Sequence, residues 1–480
     1  MRGLALALMA AIAACGNANT GLGPAPDAGP PPPEASPPPD AAPDAAVPLE
    51  WPLLRTAGRS AARVLVSPTR AVILEETLGA LDQVDPGPRR VRSIDRVTFA
   101  ERLWEPSPAS RIADVALHPS GALSLAVVDE AHRIAVVRLD ADLVPVADTP
   151  LVDAQAGRDP LHLPGEPPDA ELRANFFTAD SVRVAPAGED LVVAVLTARD
   201  SVVAYRLRLA DGAWTTAWRT LVEPAVALVP FLPIGGSFDT FGAIVAWFRP
   251  SLATDGNGNA YVAVWAGQQR IPAHATVFGD GVEPLPHDAF RRDSDALLTK
   301  LDASGARLWT RVIGTRNEDE PYAMAAAADE VVVVGRSRRN PGEDNSQWDP
   351  WLAALDGSGA LLASRTLPFD ASGIFLGVAV DASGAILVGG SDGWQQNPEG
   401  LSIFTYGAKL LVALPRADGE PARIPLPAGP RHNEVRSVVS TPGTAWYAGH
   451  EDGPLTHSGD ADRAEIHATG VVGTVPSSQP

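Results

Sequence analysis

Short apolar runs separated by polar corners dominate the chain from about Leu53 onward. The runs are rich in Val, Leu and Ala and too short for helices, so they predict β-strands buried on both faces. An Asp-x-Ser/Asn-Gly corner recurs between them, at residues 255–258, 302–305, 356–359 and 381–384. In such a corner the Asp side chain bonds the turn backbone and Gly takes a positive φ, which predicts tight hairpin turns.

The strands and corners recur as a repeat of about 45–55 residues, and four strands in that length is the size of a β-propeller blade. The clearest copies lie within 251–314, 319–364 and 377–419, with weaker ones within 113–140 and 182–207 and degenerate ones at 62–94 and 435–472. Residues 324–328 have helical propensity, but their place in the repeat predicts a strand. The sequence therefore predicts an all-β fold, a propeller of about seven four-stranded blades over 51–476.

The repeat resembles the bacterial seven-bladed propeller repeat family (SBBP-type repeats). Its signature is an aspartate-small-Ser/Asn-Gly turn, then an aliphatic-aromatic strand, then Ala-Gly. The resemblance is good from about 251 to 450 and poor before 180. It implies a propeller and brings no catalytic residues. The alternative architecture is two smaller β domains divided near residues 161–168.

The N-terminus has the pattern of an export signal. Arg2 supplies a positive charge, residues 4–12 are apolar, and Ala13 and Ala14 are small residues before a cleavage site. The one cysteine, Cys15, follows directly, and this arrangement resembles the lipobox of bacterial lipoproteins. The resemblance implies that residues 1–15 are a lipoprotein signal peptide ending at a lipidated Cys15. The alternative is an ordinary signal peptide with a chance cysteine.

Lipidation would anchor the chain in the cell envelope, so a membrane is its first expected partner. Gly16 follows the cysteine where an Asp would retain such proteins, and this resemblance implies the outer membrane or the cell surface. Residues 16–50 are mostly Pro, Ala, Asp and Gly and predict a disordered tether, because this composition cannot bury a core. At ~3.1 Å per residue, about 30 residues reach roughly 90 Å. A proline-rich ligand for another domain is the alternative.

The net charge of −20 over 480 residues argues against nucleic acid as a partner, because nucleic-acid binding normally requires a cationic face. After the leader, no apolar run reaches the ~18–20 residues of a membrane-spanning helix. A single cysteine excludes stabilisation by intrachain disulfides.

Four long insertions follow the second strand of their blades, at 267–293, 337–349, 391–406 and 449–466. Because blade strands alternate in direction, these insertions should emerge on one face, where loops on a rigid scaffold can bind a ligand. Tryptophan beside polar residues can stack on a sugar or a peptide. The candidate binding face comprises Arg338, Trp348, Asp392, Trp394, His450 and Glu451. The expected ligand is an extracellular protein or polysaccharide, and the alternative is that the insertions have no role.

Sequence motifs for catalysis or metal binding are weak. Gly389–Gly393 fits the G-x-S-x-G pattern around Ser391, but the residues that follow cannot begin the helix that a nucleophile elbow needs. Asp255–Asn259 imitates half a calcium loop without its closing glutamate. His450 and His457 lack a recognised metal-ligand spacing. The sequence predicts no cofactor, no metal and no catalytic residue.

The favoured interpretation is a non-enzymatic, envelope-anchored lipoprotein whose propeller binds or scaffolds a partner. The alternative is an envelope enzyme of lyase, hydrolase or quinoprotein type with its site at the propeller axis. Candidate acid/base groups near the inner strands would be Asp319, Glu320, Tyr322 and Glu434. A third possibility is a docking platform within an outer-membrane assembly.

Overall fold

Seven β-sheets account for the described part of the chain. The computed structural model describes residues 53–77, 89–129, 133–155, 182–196, 202–223, 250–267, 275–278, 294–315, 319–327, 330–339, 347–369, 371–381, 383–396, 403–405, 407–427, 429, 432–453 and 468–476. All of them fall within the unit formed by Leu49–Phe231 and Phe238–Pro480. Cys15, the predicted signal peptide and the predicted tether lie outside these residues, as does the segment 161–168.

The first three blades are four-stranded antiparallel sheets. Blade 1 contains β2 (Ser60–Val66), β3 (Arg70–Glu76), β4 (Arg89–Asp95) and β5 (Glu101–Trp104). Blade 2 contains β6 (Ser110–Leu117), β7 (Leu123–Asp129), β8 (Arg133–Leu139) and β9 (Pro145–Gln155). Blade 3 contains β10 (Val182–Ala187), β11 (Asp190–Leu196), β12 (Val202–Ala210) and β13 (Ala213–Glu223). In each, the strands lie side by side in chain order from the inside of the ring outward.

Blades 4 to 6 keep this order and two of them carry an extra strand. Blade 4 contains β14 (Ser251–Thr254), β15 (Ala260–Gly267), β17 (Ser294–Leu301) and β18 (Arg307–Ile313), with β16 (Thr276–Phe278) parallel to β18 at the edge. Blade 5 contains β19 (Asp319–Ala327), β20 (Glu330–Arg338), β21 (Trp348–Asp356) and β22 (Leu361–Thr366). Blade 6 contains β23 (Ser372–Val380), β24 (Ile386–Gln396), β26 (Ala408–Leu414) and β27 (Ala422–Arg423), with β25 (Ile403–Thr405) paired to β24.

Blade 7 joins the two ends of the propeller. It contains β28 (His432–Thr441), β29 (Thr444–Gly453) and β30 (Thr469–Pro476) from the C-terminal part, and its outer strand is β1 (Leu54–Ala57). β1 pairs antiparallel with β30, with Leu54 opposite Val472 and Ala57 opposite Thr469. The N-terminal strand thus completes the last blade, so the ring is held shut by backbone hydrogen bonds between distant parts of the chain.

The inner strands form a closed ring. Each contacts the next in the order β28, β2, β6, β10, β14, β19 and β23, and β23 returns to β28. Together they surround an axial cavity of about 230 Å³. The protein is therefore a seven-bladed β-propeller, as its repeat predicted, and the alternative of two separate β domains is wrong.

The hydrophobic core lies between the faces of neighbouring blades. One cluster packs Val192 of blade 3 against Val262 of blade 4, and another packs Ile73 of blade 1 against Trp446 of blade 7. Strands such as β11 and β20 are buried on both faces because each blade is covered on two sides. This arrangement explains the continuous apolar runs in the sequence.

The repeated corners have the geometry that their residues predicted. Asp302 Oδ1 accepts hydrogen bonds from the backbone N–H of Ser304 at 2.8 Å and of Ala306 at 2.9 Å. Gly305 closes the turn with a φ of 86°. The same side-chain bonds occur at Asp356 and Asp381. Each corner thus stabilises its hairpin through one carboxylate and one glycine.

Two details refine the predicted strand positions. The first blade runs to Trp104 and the last to Pro476, further than the degenerate repeats indicated. Residues 324–327 of the segment with helical propensity lie in β19, as the repeat predicted, and residue 328 lies outside the described residues. Among the described residues, no helix is long and apolar enough to cross a membrane.

Candidate functional site

The ring has two unlike faces. In blades 1 to 6 the first strand in chain order is the inner strand, in blade 7 the inner strand is β28, and in every blade the second and third strands follow it outward. We define the upper face of the ring as the face at which the inner strands begin, the second strands end and the third strands begin. The lower face is the opposite face of the ring. The longest connections start and finish at the upper face, between Gln155 and Val182, Glu223 and Ser251, Gly267 and Ser294, and Gly453 and Thr469. Lower-face connections are short turns, such as Ala187 to Asp190 and the Asp corners. Two of these connections, 267–294 and 453–469, coincide with predicted insertions, whereas parts of the predicted insertions 337–349 and 391–406 lie in strands.

Charged and polar side chains are buried just below the upper face of blades 5, 6, 7 and 1. We call this set the upper polar layer, and its members are Ser60, Glu75, Glu76, Arg89, Asp319, Glu320, Arg336, Ser391, Lys409, His432, Glu434, His450 and Glu451. Polar groups removed from water destabilise a fold unless they are hydrogen-bonded to one another. The layer is therefore built as a network, and its contacts join the upper ends of strands in these four blades.

The network joins blade 7 to blade 1. Arg89 Nε donates to Glu76 Oε2 at 3.0 Å, and Arg436 forms an ion pair with the other oxygen of Glu76. Arg436 also donates to Ser60 Oγ at 3.1 Å, and Ser60 Oγ is hydrogen-bonded to His450 Nδ1 at 3.1 Å. This chain of contacts crosses the boundary between the first and last blades of the ring.

Glu451 connects blade 6 to the strand that closes the ring. Its side chain forms an ion pair with Lys409, whose own side chain is fully buried, and a second one with Arg55 of β1 at 2.8 Å. Burial lowers the pKa of Lys409, and the hydrogen bond to Glu451 opposes that shift. The carboxylate therefore keeps a buried ammonium paired and holds β1 in place.

His432 lies between Ser391 and Glu434, an arrangement that invites comparison with a hydrolase triad. The Gly407 backbone N–H donates to His432 Nδ1 at 3.1 Å, so that nitrogen carries no proton. The proton is therefore on Nε2, which lies 3.0 Å from Glu434 Oε1 and 3.4 Å from Ser391 Oγ. In a triad the two ring nitrogens serve different partners. Here Nε2 already donates to the carboxylate, so it does not accept a proton from Ser391.

Blade 5 holds a second set of carboxylates at the upper face. Glu320 Oε2 accepts hydrogen bonds from Arg336 Nε at 2.7 Å and from Tyr322 Oη at 2.9 Å. The Arg336 guanidinium stacks on the ring of Trp348, 3.9 Å from its centroid. Next to them, burial raises the pKa of Asp319 to about 6. Thr315 Oγ1 donates to this carboxylate at 2.8 Å.

The six candidate binding residues lie on the predicted face, but within strands. Arg338 and Trp348 are cross-strand partners at the ends of β20 and β21, and β24 and β29 contain the other four. The described side chains are buried, with exposed fractions of 5% for Arg338, 9% for Trp348, 6% for Asp392, 0% for His450 and 3% for Glu451. The side chain of Trp394 lies outside the described residues.

These burials correct the expectation that the side chains stand on exposed loops. The second strands continue beyond their expected ends because polar groups there have partners inside the sheet. Asp392, for example, pairs with Arg423 of the outer strand. Ligand binding by the six candidate residues stays a prediction. The five buried side chains would contribute to it by holding the strand ends at the upper face in position. Cys15 and the histidine His457 lie outside the described residues.

Sequence reasoning did not find Glu76, Arg89, His432 and Lys409 of the upper polar layer. One signal was available for Glu76 and Lys409: each is a charged residue at the upper end of an otherwise apolar strand run. In a propeller those ends from neighbouring blades lie close together, so such residues can pair.

The axial cavity is lined by residues of all seven inner strands. Its described charged side chains are Arg63, Arg89, Asp114, Arg183 and Arg436. Arg63 forms an ion pair with Asp114 Oδ1, and Asp114 Oδ2 accepts the Val184 backbone N–H at 2.9 Å. The charged side chains of the lining are thus mainly cationic, in contrast to the acidic chain as a whole.

Within the described ranges, no three His, Cys, Asp or Glu residues are grouped as a metal site would require. The calcium-like segment at Asp255 is a turn: its carboxylate accepts hydrogen bonds from Asn257 N at 2.9 Å, Asn259 N at 2.9 Å and Tyr261 Oη at 3.2 Å. These bonds lie within one hairpin, as at the other Asp corners.

Comparison with known proteins finds similarity of backbone shape. No protein-family model and no curated protein matches the chain. The structure is similar to the β-propeller domain of the Trilobed protease from Pyrococcus furiosus, with a TM-score of 0.46 and 8% identity over 90% of this chain and 97% of that one. It is similar to a chain in the Mitotic Checkpoint Complex, with a TM-score of 0.45 and 10% identity over 91% of this chain and 96% of that one. It is also similar to the WD40 propeller domain of Doa1, with a TM-score of 0.42 and 9% identity over 89% of this chain and 97% of that one. No functional residue is carried over at these identities.

Proposed function

We propose that this protein is a cell-envelope lipoprotein, anchored through Cys15, whose propeller binds or scaffolds an extracellular protein or polysaccharide at its upper face. The observation that carries the proposal is the asymmetry of the ring. Long connections start and finish at the upper face. The upper polar layer includes Glu451, close to the end of β29 from which one of these connections leaves. Loops on a rigid scaffold of this kind are a common basis for recognition.

The position of β1 supports the anchored arrangement. Leu54 begins the outer strand of blade 7, so the predicted tether meets the propeller at the circumference of the ring. An anchor attached there leaves the axis and the centre of the upper face unobstructed by the first strand. The geometry of Ser391 and His432 gives no support to the alternative of a serine hydrolase.

The anchor is tested by replacing the thiol. Cys15→Ser should move the protein from the membrane fraction to the soluble fraction, and mass spectrometry of the wild-type N-terminal peptide should show a diacylglycerol on Cys15. A Cys15→Ser protein that stays with the membrane, or an unmodified wild-type cysteine, would contradict the anchor.

The binding face is tested by pull-down from the cell envelope with the lipid-free chain as bait. Replacing residues 454–467, between β29 and β30, with a short Gly-Ser linker should remove the captured partner while the melting temperature stays near that of the parent chain. The matched control replaces the lower-face connection 67–69 with Gly and Ser. Equal capture by both variants would refute upper-face binding.

A further inference from the structure

The axial cavity has the dimensions and the charge of a ligand site. Its volume of about 230 Å³ corresponds to several water molecules at ~30 Å³ each, or to one small organic molecule. The Arg63 side chain is 29% exposed, so solvent reaches the cavity wall.

Arg63 and Arg436 are neighbours on this wall. Their strands, β2 and β28, adjoin at the closure of the ring, where the Val64 backbone N–H donates to Ser437 Oγ at 3.2 Å. The two arginines therefore lie on adjacent inner strands, and both line the cavity.

Both arginines have donors to spare among the described residues. Arg63 uses Nη1 for Asp114, and Arg436 uses Nη1 for Glu76 and Ser60. A guanidinium has five N–H donors and remains charged at every physiological pH. The remaining N–H groups have the planar fork geometry that fits a carboxylate.

The rest of the wall is largely apolar. Leu252, Met324, Leu376 and Val378 line the same cavity from blades 4, 5 and 6. A fully hydrated inorganic anion would gain nothing from these side chains, whereas a carboxylate with a hydrocarbon body would bury that body against them.

We propose that the axial cavity binds a small carboxylate, with the carboxylate group on Arg63 and Arg436 and the apolar part against the side chains of blades 4, 5 and 6. Such a group comes either from a free organic acid or from the C-terminus of a peptide. The site is separate from the upper-face surface and from the lipid anchor, so its failure would leave the proposed function untouched.

Calorimetric titration of the lipid-free chain tests the proposal with hexanoate, inorganic phosphate and an apolar tripeptide carrying either a free or an amidated C-terminus. Saturable binding of hexanoate, weaker at higher salt, is expected, with phosphate at least tenfold weaker. If the tripeptide with a free C-terminus bound more tightly than hexanoate, the natural carboxylate would come from a peptide C-terminus. If hexanoate bound and the tripeptide did not, it would come from a free organic acid. Equal binding of the amidated peptide, or no carboxylate binding, would overturn the proposal.

Variants link the binding to this wall. Arg63→Gln should weaken hexanoate binding at least tenfold, whereas Arg133→Gln, at an exposed ion pair far from the axis, should leave it unchanged. Since Arg63→Gln also breaks the pair with Asp114, Leu376→Trp provides a second variant that fills the cavity and keeps every arginine. Loss of binding in both variants supports the site, and undiminished binding in Leu376→Trp refutes it.

Discussion

Removing the Glu451 charge should destabilise the closure of the ring. Its partner Lys409 has a fully buried side chain, and Glu451 itself is 4% exposed at the side chain. Glu451→Gln would leave the ammonium without a counterion, and breaking one side of a buried pair costs about 3–5 kcal/mol. The second pair, to the half-exposed Arg55, adds about 0.5 kcal/mol at most. We therefore expect the free energy of unfolding to fall by about 3–5 kcal/mol.

Urea denaturation at pH 7, followed by tryptophan fluorescence, measures this change. Asp142→Asn is the matched control, because the Arg102–Asp142 pair is exposed on both sides and its loss should cost less than about 1 kcal/mol. Adding Lys409→Met to Glu451→Gln should recover most of the stability, since an apolar side chain needs no counterion. If Glu451→Gln were as mild as the control, the buried pair would not have the role described.

Three further variants test separate parts of the fold. Gly390→Ala should lower the melting temperature by many degrees because an added Cβ would lie 1.8 Å from the Ile374 carbonyl oxygen, whereas Gly256→Ala, with open space around it, should be tolerated. Because the pKa of Asp319 is raised to about 6, the folded protein keeps this carboxyl protonated at pH values where the unfolded chain has lost the proton, and wild-type stability is lost as pH rises from about 4 to 6. In urea titrations at several pH values, Asp319→Asn should remove that loss. A pH profile that is unchanged in Asp319→Asn would contradict this role of Asp319. Burial and the nearby Arg138 lower the pKa of His118 to about 4. The unfolded chain therefore binds this proton more readily than the folded protein, and stability is lost as pH falls from about 6.5 to 4. His118→Gln should reduce this dependence of the unfolding free energy on pH.

The repeat made the fold predictable because its corners and strands carry direct physical signals. Asp356 and Gly359 define a hairpin from sequence alone, since few other residues supply both the side-chain acceptor and a positive φ. The glycines within the second strands of blades 5, 6 and 7 also have a structural reason. Gly335, Gly390 and Gly449 each lie against an inner-strand carbonyl, at 1.7, 1.8 and 1.9 Å from where a Cβ would be. The inner strands bulge beside these glycines.

The upper polar layer was less accessible to sequence reasoning. A charged residue such as Glu76 at the end of an apolar run fits a solvent-exposed turn as well as a buried pair. The distinction depends on Arg436, which is 360 residues away in sequence and meets Glu76 because the ring closes. Similarly, the sequence around Trp348 predicts an exposed insertion, because its contact with Arg336 depends on the register between β20 and β21.

Photo-crosslinking in intact cells tests most directly the claim that the upper face is the contact surface. A photoreactive amino acid would replace Asp452 at the upper end of β29 or Ser304 at a lower-face corner. The account predicts a discrete higher-mass adduct from position 452 and none from position 304. Adducts from the lower position alone would place recognition on the opposite side of the ring and contradict it.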